Sequence, residues 1–194
     1  MRSLLFKNGL NPIIYFLSWL FFYTLINFGV STLYTVAMKS VVFKEDSFSM
    51  LWLMVFFAKQ SFFGLIWVLQ PFIRSARMSV FTMGFFFCIS FYATFIVDQK
   101  EPIIDTDEKR QVAYLPLAAV KMTVDCLTSF HYIFWNMNFD NYDVEKLNWS
   151  IKLGIEAFIA NFFLWTAVGI VIDLLLNPPR IIMKLFGRCG YFGL

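Results

Sequence analysis

The sequence predicts an all-α, polytopic integral membrane protein with four transmembrane helices and a re-entrant helical hairpin on the outer side. Two features of the composition point to the membrane. Apolar residues make up 59% of the chain and charged residues only 15%, against roughly 45–50% and 25% in soluble globular domains. Phenylalanine supplies 26 of the 194 residues, more than a water-soluble core of this size could hide. We therefore expect a single multi-pass membrane unit without a soluble domain.

Four stretches are long and apolar enough to cross the hydrocarbon layer, which takes about 20 residues of helix. They are residues 11–38, 47–73, 78–97 and 151–176. Lys59 is the only charged residue of the second stretch, and the last carries Lys152 and Glu156 near one end. Because these two residues are four apart, the spacing predicts an ion pair that lowers the cost of their charges near the interface.

Residues 112–139 form a different kind of segment. Lys121 and Asp125 separate an uncharged run of 10 residues (111–120) from another of 14 residues (126–139), and Pro116 interrupts the first run. Neither run is long enough to cross a bilayer, and such lengths are typical of re-entrant or interfacial segments. The sequence therefore predicts a helical hairpin that dips into one leaflet, with its backbone covered by protein. Lys121 and Asp125 are also four residues apart, so a second ion pair is predicted there.

The positions of the charges predict the orientation. Four spans and a hairpin place both termini on the side of the turn between the second and third spans. That side holds seven bases and no acid, namely Arg2, Lys7, Arg74, Arg77, Arg180, Lys184 and Arg188. The other side holds six bases interleaved with ten acids. Since the positive-inside rule counts Lys and Arg, we expect segment 1–10, the arginine turn and the tail 177–194 to be cytosolic.

No residue pattern in the chain predicts catalysis, a metal site or a nucleic-acid partner. Cys88, Cys126 and Cys189 are scattered without metal-ligand spacing. The single histidine, His131, has no cysteine or carboxylate at motif spacing. The phosphate-binding pattern G-x-x-x-x-G-K-[ST] is missing, because "GRCGYFG" lacks the lysine and the hydroxyl.

Lys59 is the strongest candidate for a functional residue. Counted from Ser47, it lies about 18 Å along the second span at 1.5 Å per residue. A lysine at that depth costs roughly 2.5–3.5 kcal/mol on insertion scales. It either serves helix packing, through an ion pair or by reaching toward the interface, or it lines a path for anionic head groups. Gln60 and Asn27 are further candidates for such a path, unless they only form interhelical hydrogen bonds.

Several short motifs occur in an order that resembles one family. Gly9-Leu10 precedes a helix that bears Ser18-Trp19, and "PFIRSARMSVFTMG" carries a phenylalanine, a basic tetrad and a glycine, at Phe72, Arg74, Ala76, Arg77 and Gly84. Trp149 stands just before the last span, and an acid, a proline and an aromatic-glycine close follow, at Asp173, Pro178, Tyr191, Phe192 and Gly193. This order resembles the transmembrane domain of A-subfamily ABC transporters, the large lipid exporters. Two motifs depart from that family, because "CLTSFHYIF" has no Ser-Pro and "NPPR" replaces its Pro-Gly.

The resemblance implies a function. The chain would be the latter part of one transmembrane domain of an ATP-driven lipid exporter, with Arg2, Lys7, Arg74 and Arg77 in cytosolic coupling segments. Its partners would be membrane lipids and the remaining transmembrane and nucleotide-binding domains, and ATP and magnesium would bind outside this chain. The chain would then be a fragment of a longer gene or a half that depends on partners. The residues leave open the alternative of a small structural or assembly subunit of a membrane complex without transport activity.

Overall fold

The computed structural model describes residues 12–72, 76–100, 105–132, 136–146 and 148–176. These residues form six α-helices and no β-strand: α1 (Pro12–Val41), α2 (Phe48–Leu69), α3 (Ala76–Lys100), α4 (Thr106–Val112), α5 (Pro116–Tyr132) and α6 (Ile151–Leu176). A 3-10 turn at Gln70–Phe72 extends α2. Helices α1, α2, α3 and α6 are each long and apolar enough to cross a membrane. The predicted all-α class, with four helices of membrane-spanning length, is therefore confirmed for the described residues.

The bounds of the four long helices follow the predicted spans closely. Helix α6 covers residues 151–176 as predicted, and α2 begins directly after its N-cap, Ser47. Helix α1 continues past residue 38 to Val41, with Lys39 in its last turn, where a cation is stabilised by the helix dipole. Helix α3 is longer than the predicted 78–97, because the polar residues that follow Val97 continue the helix to Lys100.

Helices α2 and α6 form the central pair of the bundle. A Cβ added at Gly64 of α2 would lie 2.6 Å from the backbone nitrogen of Thr166. A Cβ added at Gly169 of α6 would lie 2.7 Å from Trp67 Cδ1 and 3.0 Å from the backbone nitrogen of Val68. Small residues let helices in lipid approach closely enough for backbone packing. Gly64 and Gly169 therefore set the separation of α2 and α6.

The other two long helices lie at the periphery. Only 6% of the apolar stretch of α1 and 17% of that of α3 are buried, against 56% for α2. Large apolar side chains such as Phe21, Leu33, Phe81 and Phe91 are exposed along α1 and α3. In water such surfaces would be strongly unfavourable, so these faces suit contact with lipid or with other membrane helices.

One buried hydrophobic cluster lies at one end of the bundle, while Phe63, Trp67 and Leu69 are buried further along α2. Phe43, Met50, Val97, Phe130 and Ile151 belong to one buried cluster, to which the end of α1 and helices α2, α3, α5 and α6 all contribute. Loop 42–47 and segment 136–146 are joined at this end. The backbone nitrogen of Ser47 donates to Met137 O at 2.8 Å, and the backbone nitrogen of Met137 donates to Asp46 Oδ1. We call this the hairpin end of the bundle.

The structure does not reproduce the helical hairpin predicted over residues 112–139; a helix–turn–helix formed by α4 and α5 stands in its place, and we call it the hairpin. Its turn is at residues 113–115, so its arms are Thr106–Val112 and Pro116–Tyr132 instead of two runs within 112–139. Pro116 begins α5, a position where the missing N–H of proline costs nothing. Lys121 and Asp125 do not divide the segment, because they lie within α5 and pair at 2.7 Å on a partly exposed face. That ion pair is confirmed.

Candidate functional site

Polar side chains join α1 to α2 within their apolar spans. Asn27 Nδ2 donates to Gln60 Oε1 at 3.0 Å and to Phe56 O at 3.1 Å, and Asn27 Oδ1 accepts from the Ser31 hydroxyl. Gln60 Nε2 donates to the Thr24 hydroxyl at 3.1 Å. Asn27 and Gln60 are both buried. Their amide groups therefore act as an interhelical polar joint, which is one of the two interpretations that the sequence allowed.

Lys59 sits beside this joint without a polar partner. Its Nζ is buried and has no hydrogen-bond acceptor or acidic partner among the described residues. It lies 4.6 Å from the centre of the Tyr34 ring, a cation–π contact worth about 0.5–2 kcal/mol. Helical side chains lean toward the N-terminus of their helix, so Lys59 extends from α2 toward the hairpin end. Of the two packing roles that the sequence allowed for Lys59, the side chain that extends toward the interface is observed, and an ion pair is not found among the described residues.

Lys59 and Asn27 line the same groove between α1 and α2. The groove has a volume of about 280 Å³, and its other walls are Tyr23, Ile26, Val30 and Phe62. The Tyr23 hydroxyl donates to the backbone oxygen of Lys59 at 2.8 Å, which ties the two helices together at the edge of the groove. We call this cavity the Lys59 groove. It combines an apolar wall with one cation and one amide group.

The turn of the hairpin is held by side chains from the middle of α6. Asn161 Nδ2 donates to Ala113 O at 2.7 Å, and Trp165 Nε1 donates to Tyr114 O at 2.8 Å. Asn161 is ten residues into α6, about 15 Å from its start. The irregular backbone between α4 and α5 therefore lies beside an apolar span, and the span supplies hydrogen-bond donors to two of its carbonyl groups.

Trp149 anchors the start of α6 against α5. Its side chain is 1% exposed, and its Nε1 donates to the Thr123 hydroxyl at 3.3 Å. The Cys126 thiol donates to the backbone oxygen of Trp149. One turn further along α6, a Cβ at Gly154 would overlap Thr123, so α5 and α6 are in close contact. In the sequence, Trp149 was singled out only by the resemblance to the transporter family. The burial of its side chain explains why an aromatic residue precedes the last span.

A second cavity of about 170 Å³ lies between the hairpin and the first turns of α6. Its walls are formed by Arg110, Ala113, Tyr114, Trp149, Leu153, Glu156, Ala157 and Ala160. Arg110 belongs to α4 and Glu156 to α6, so a basic and an acidic residue from two different helices line the same space. We call this cavity the Arg110 cleft. Sequence reasoning missed it, because nothing in the local pattern of either residue indicates the other.

The predicted ion pair between Lys152 and Glu156 is wrong. Both side chains are exposed, and no ion pair joins them in the described part of the chain. An exposed pair of this spacing is worth only about 0.3–0.5 kcal/mol, so little stability is lost when it does not form. Glu156 lines the Arg110 cleft instead.

Asp46 is a buried acid that the sequence did not single out. Its side chain is 4% exposed, and it accepts a hydrogen bond from the backbone of Met137. Burial raises the pKa of Asp46, while this hydrogen bond and the charges of His131 and Lys39 oppose the rise. Lys39 Nζ also donates to the backbone oxygen of Asp46 at 3.0 Å. Asp46 is thus the electrostatic centre of the contact between loop 42–47 and segment 136–146.

The remaining predicted residues belong to the coupling segments. Arg2, Lys7 and Arg74 lie outside the described residues, as does the predicted tail 177–194. Arg77 lies in the first turn of α3, and its side chain is outside the described part. The cytosolic role of these residues therefore stays a prediction.

Comparisons with known proteins give no match. No protein-family model, no curated protein and no solved structure matches the chain. The resemblance to ABC transporters therefore rests on the order of the motifs in the sequence, and no comparison assigns a role to Lys59, Gln60 or Asn27.

Proposed function

We propose that this chain is a membrane-spanning part of an ATP-driven lipid transporter of the A-subfamily ABC type, and that its helices form part of the lipid path. The motif order implies the family. The Lys59 groove is the observation that supports transport most directly, because it holds a lysine ammonium group that has no hydrogen-bond acceptor among the described residues.

The charge of Lys59 is energetically costly inside an apolar span. A lysine inside a span costs roughly 2.5–3.5 kcal/mol on insertion scales, and a cation–π contact offsets only part of that. No acid compensates the charge among the described residues. An anionic phosphate group that enters the Lys59 groove would supply the missing hydrogen-bond acceptor. Asn27 and Gln60 would hold α1 and α2 at the separation that keeps the groove open.

The proposal includes an orientation. The hairpin of α4 and α5 would dip into the outer leaflet from outside, and the turn between α2 and α3, with Arg74 and Arg77, would face the cytosol. Backbone that enters a bilayer must be satisfied by protein. The hydrogen bonds from Asn161 and Trp165 to the turn of the hairpin meet that requirement and so support a re-entrant placement.

The energy for lipid transport would come from ATP hydrolysis on partner domains. On the family's pattern, ATP and magnesium would bind nucleotide-binding domains outside this chain, and Arg2, Lys7, Arg74 and Arg77 would lie in the cytosolic segments that those domains move. Further transmembrane helices would cover the exposed faces of α1 and α3.

The test is a transport measurement on the complex that contains the chain. The tagged chain is purified from its own membrane in mild detergent and reconstituted into liposomes with a fluorescent phospholipid. The expected result is ATP hydrolysis that phospholipid stimulates, together with ATP-dependent movement of the fluorescent lipid between leaflets. A complex that contains no ATPase and moves no lipid would remove the proposal and favour the structural or assembly subunit. A phosphate-binding cassette encoded in frame directly downstream would be an independent, inexpensive sign of the transporter.

A further inference from the structure

The Arg110 cleft has the charges and the size of a site for the head group of a lipid. At about 170 Å³ it is smaller than the roughly 300–1,000 Å³ that hold a drug-sized ligand. It therefore fits part of a ligand whose remainder lies elsewhere. Ala157 and Ala160 make room on the wall formed by α6, and Tyr114 offers an aromatic ring on the wall formed by the hairpin.

Glu156 has unused capacity to bind a cation. In the part of the chain that the structure describes, its carboxylate forms no ion pair and no hydrogen bond. The guanidinium group of Arg110 forms only a weak ion pair with Asp107, because their contact is long, at 3.4 Å, and exposed to solvent. Such surface pairs contribute little, so Arg110 can turn toward an anion in the cleft without a large loss.

The depth of Glu156 suits the head-group region. Helix α6 has 26 residues and is about 39 Å long, so it exceeds the hydrocarbon layer of about 30 Å and its first turns can stand above that layer. Glu156 is five residues from the start of α6, about 7.5 Å along it. This is the level at which the phosphate and amine groups of a phospholipid meet the apolar core.

We infer that the Arg110 cleft binds the head group of a zwitterionic phospholipid, with Glu156 and the Tyr114 ring holding the ammonium group and Arg110 holding the phosphate. Aromatic rings recognise quaternary ammonium groups through cation–π attraction, and arginine binds phosphate through its planar fork of donors. A purely anionic lipid would leave Glu156 unpaired and repelled. The inference rests on the proposed function only for the placement of the hairpin end in the outer leaflet.

The test is an equilibrium binding measurement without ATP. The full chain, with any partners that co-purify, is stripped of lipid in detergent and mixed with equal amounts of phosphatidylcholine and phosphatidylglycerol of matched acyl chains. Native mass spectrometry then counts the retained lipids. We expect roughly tenfold preference for phosphatidylcholine, which corresponds to one charge-assisted contact. Glu156→Gln should abolish that preference, and Arg110→Gln should weaken binding of both lipids.

Matched controls separate the site from the surrounding surface. Lys152→Gln removes an exposed charge from the same end of α6 but outside the cleft, and it should leave the preference unchanged. Asp107→Asn frees Arg110 and should not weaken binding. Unfolding temperatures of all variants show whether a lost preference reflects a lost fold. Because Arg110 and Glu156 are both exposed, we expect these temperatures to match the wild type.

Each contrary result has a definite meaning. Equal retention of both lipids by the wild type, or an unchanged preference in Glu156→Gln, overturns the inference. Competition by free phosphocholine at the same concentration as the lipid also overturns it, because the ligand would then be a soluble molecule. Phosphatidylcholine preference in a complex that moves no lipid would keep this site and remove the proposed transport function. Transport with no such preference would do the reverse.

Discussion

Trp165 Nε1 donates a hydrogen bond to the carbonyl oxygen of Tyr114 at 2.8 Å, and so links the middle of α6 to the turn between α4 and α5. We expect Trp165→Phe, which keeps an aromatic ring and removes the donor, to lower the stability of the hairpin by about 1 kcal/mol. Trp19→Phe is the matched control, because Trp19 lies exposed on α1. Denaturant titration in detergent measures both variants. Equal loss in the two would mean that the Trp165 bond contributes nothing.

The two close-contact glycines predict a contrast among alanine variants. Gly64→Ala and Gly169→Ala would force α2 and α6 apart, since the added methyl groups meet backbone atoms at 2.6–3.0 Å. We expect each to cost about 1–3 kcal/mol. Gly29→Ala in α1 adds a methyl group to open space and should leave stability unchanged or raise it. Thermal unfolding in a fixed detergent compares the three, and a similar fall in all of them would contradict the close approach.

The environment of Asp46 predicts how stability depends on pH. Because burial raises its pKa above 3.8, the folded chain holds the Asp46 proton more tightly than the unfolded chain. The contribution of Asp46 to stability is therefore complete below pH 3.8 and is lost as the pH rises through the raised value. Asp46→Asn keeps an acceptor for the Met137 N–H and removes the titration. As the pH falls from neutral, the wild type should gain stability relative to Asp46→Asn.

The measurement is the unfolding temperature of both proteins at a series of pH values. Asp143→Asn is the control, since Asp143 is exposed in the neighbouring segment. Parallel curves for wild type and Asp46→Asn would show that the raised pKa does not contribute to stability.

The shared end of loop 42–47 and segment 136–146 predicts a labelling pattern. Single cysteines at Glu45 and Asp143, both exposed, should react with a membrane-impermeant maleimide from the same side of the membrane, the outside on our proposal. A cysteine at Ser75 should react only from the cytosol. Labelling of Glu45→Cys and Asp143→Cys from opposite sides would mean that the hairpin segment crosses the membrane.

Lys59 should matter to transport more than to folding. Lys59→Met removes the cost of the charge and keeps side-chain length, so the variant should be at least as stable as the wild type. In the reconstituted complex we expect it to lose ATP hydrolysis stimulated by lipid. Lys59→Arg keeps the charge in a different shape and should fall between the two. Unchanged lipid-stimulated turnover in Lys59→Met would leave packing against Tyr34 as the only role of this residue.

Long apolar segments were the most predictable part of the fold. The span at 151–176 is the helix Ile151–Leu176, because about 20 apolar residues in a row have few alternatives to a buried helix. The hairpin predicted over residues 112–139 does not match the structure, in which residues 116–132 form one continuous helix. Lys121 and Asp125 were treated as breaks between two arms, whereas a salt bridge between them lets α5 continue through both positions.

The candidate sites depend on contacts that a linear pattern does not contain. The sequence indicated Lys59 because a charge inside an apolar run is conspicuous, but Tyr34 as its neighbour is a consequence of how α1 packs on α2. The Arg110 cleft was missed for the same reason. Arg110 lies in a highly charged segment and Glu156 had a nearer apparent partner in Lys152, so only the packing of the hairpin on α6 identifies the pair.

The glycine contacts between α2 and α6 have a mechanical consequence. Because α2 and α6 meet backbone to backbone at Gly64 and Gly169, the two helices resist sliding past each other and should move as one rigid unit. Helix α2 has 22 residues and is about 33 Å long. A displacement of its Gln70 end would therefore be transmitted to the opposite end of the bundle. At that end, α2 and α6 pack in one buried cluster with Trp149 and residues of α5. A force applied at the Gln70 end of α2 would therefore reach the hairpin end through the paired helices α2 and α6.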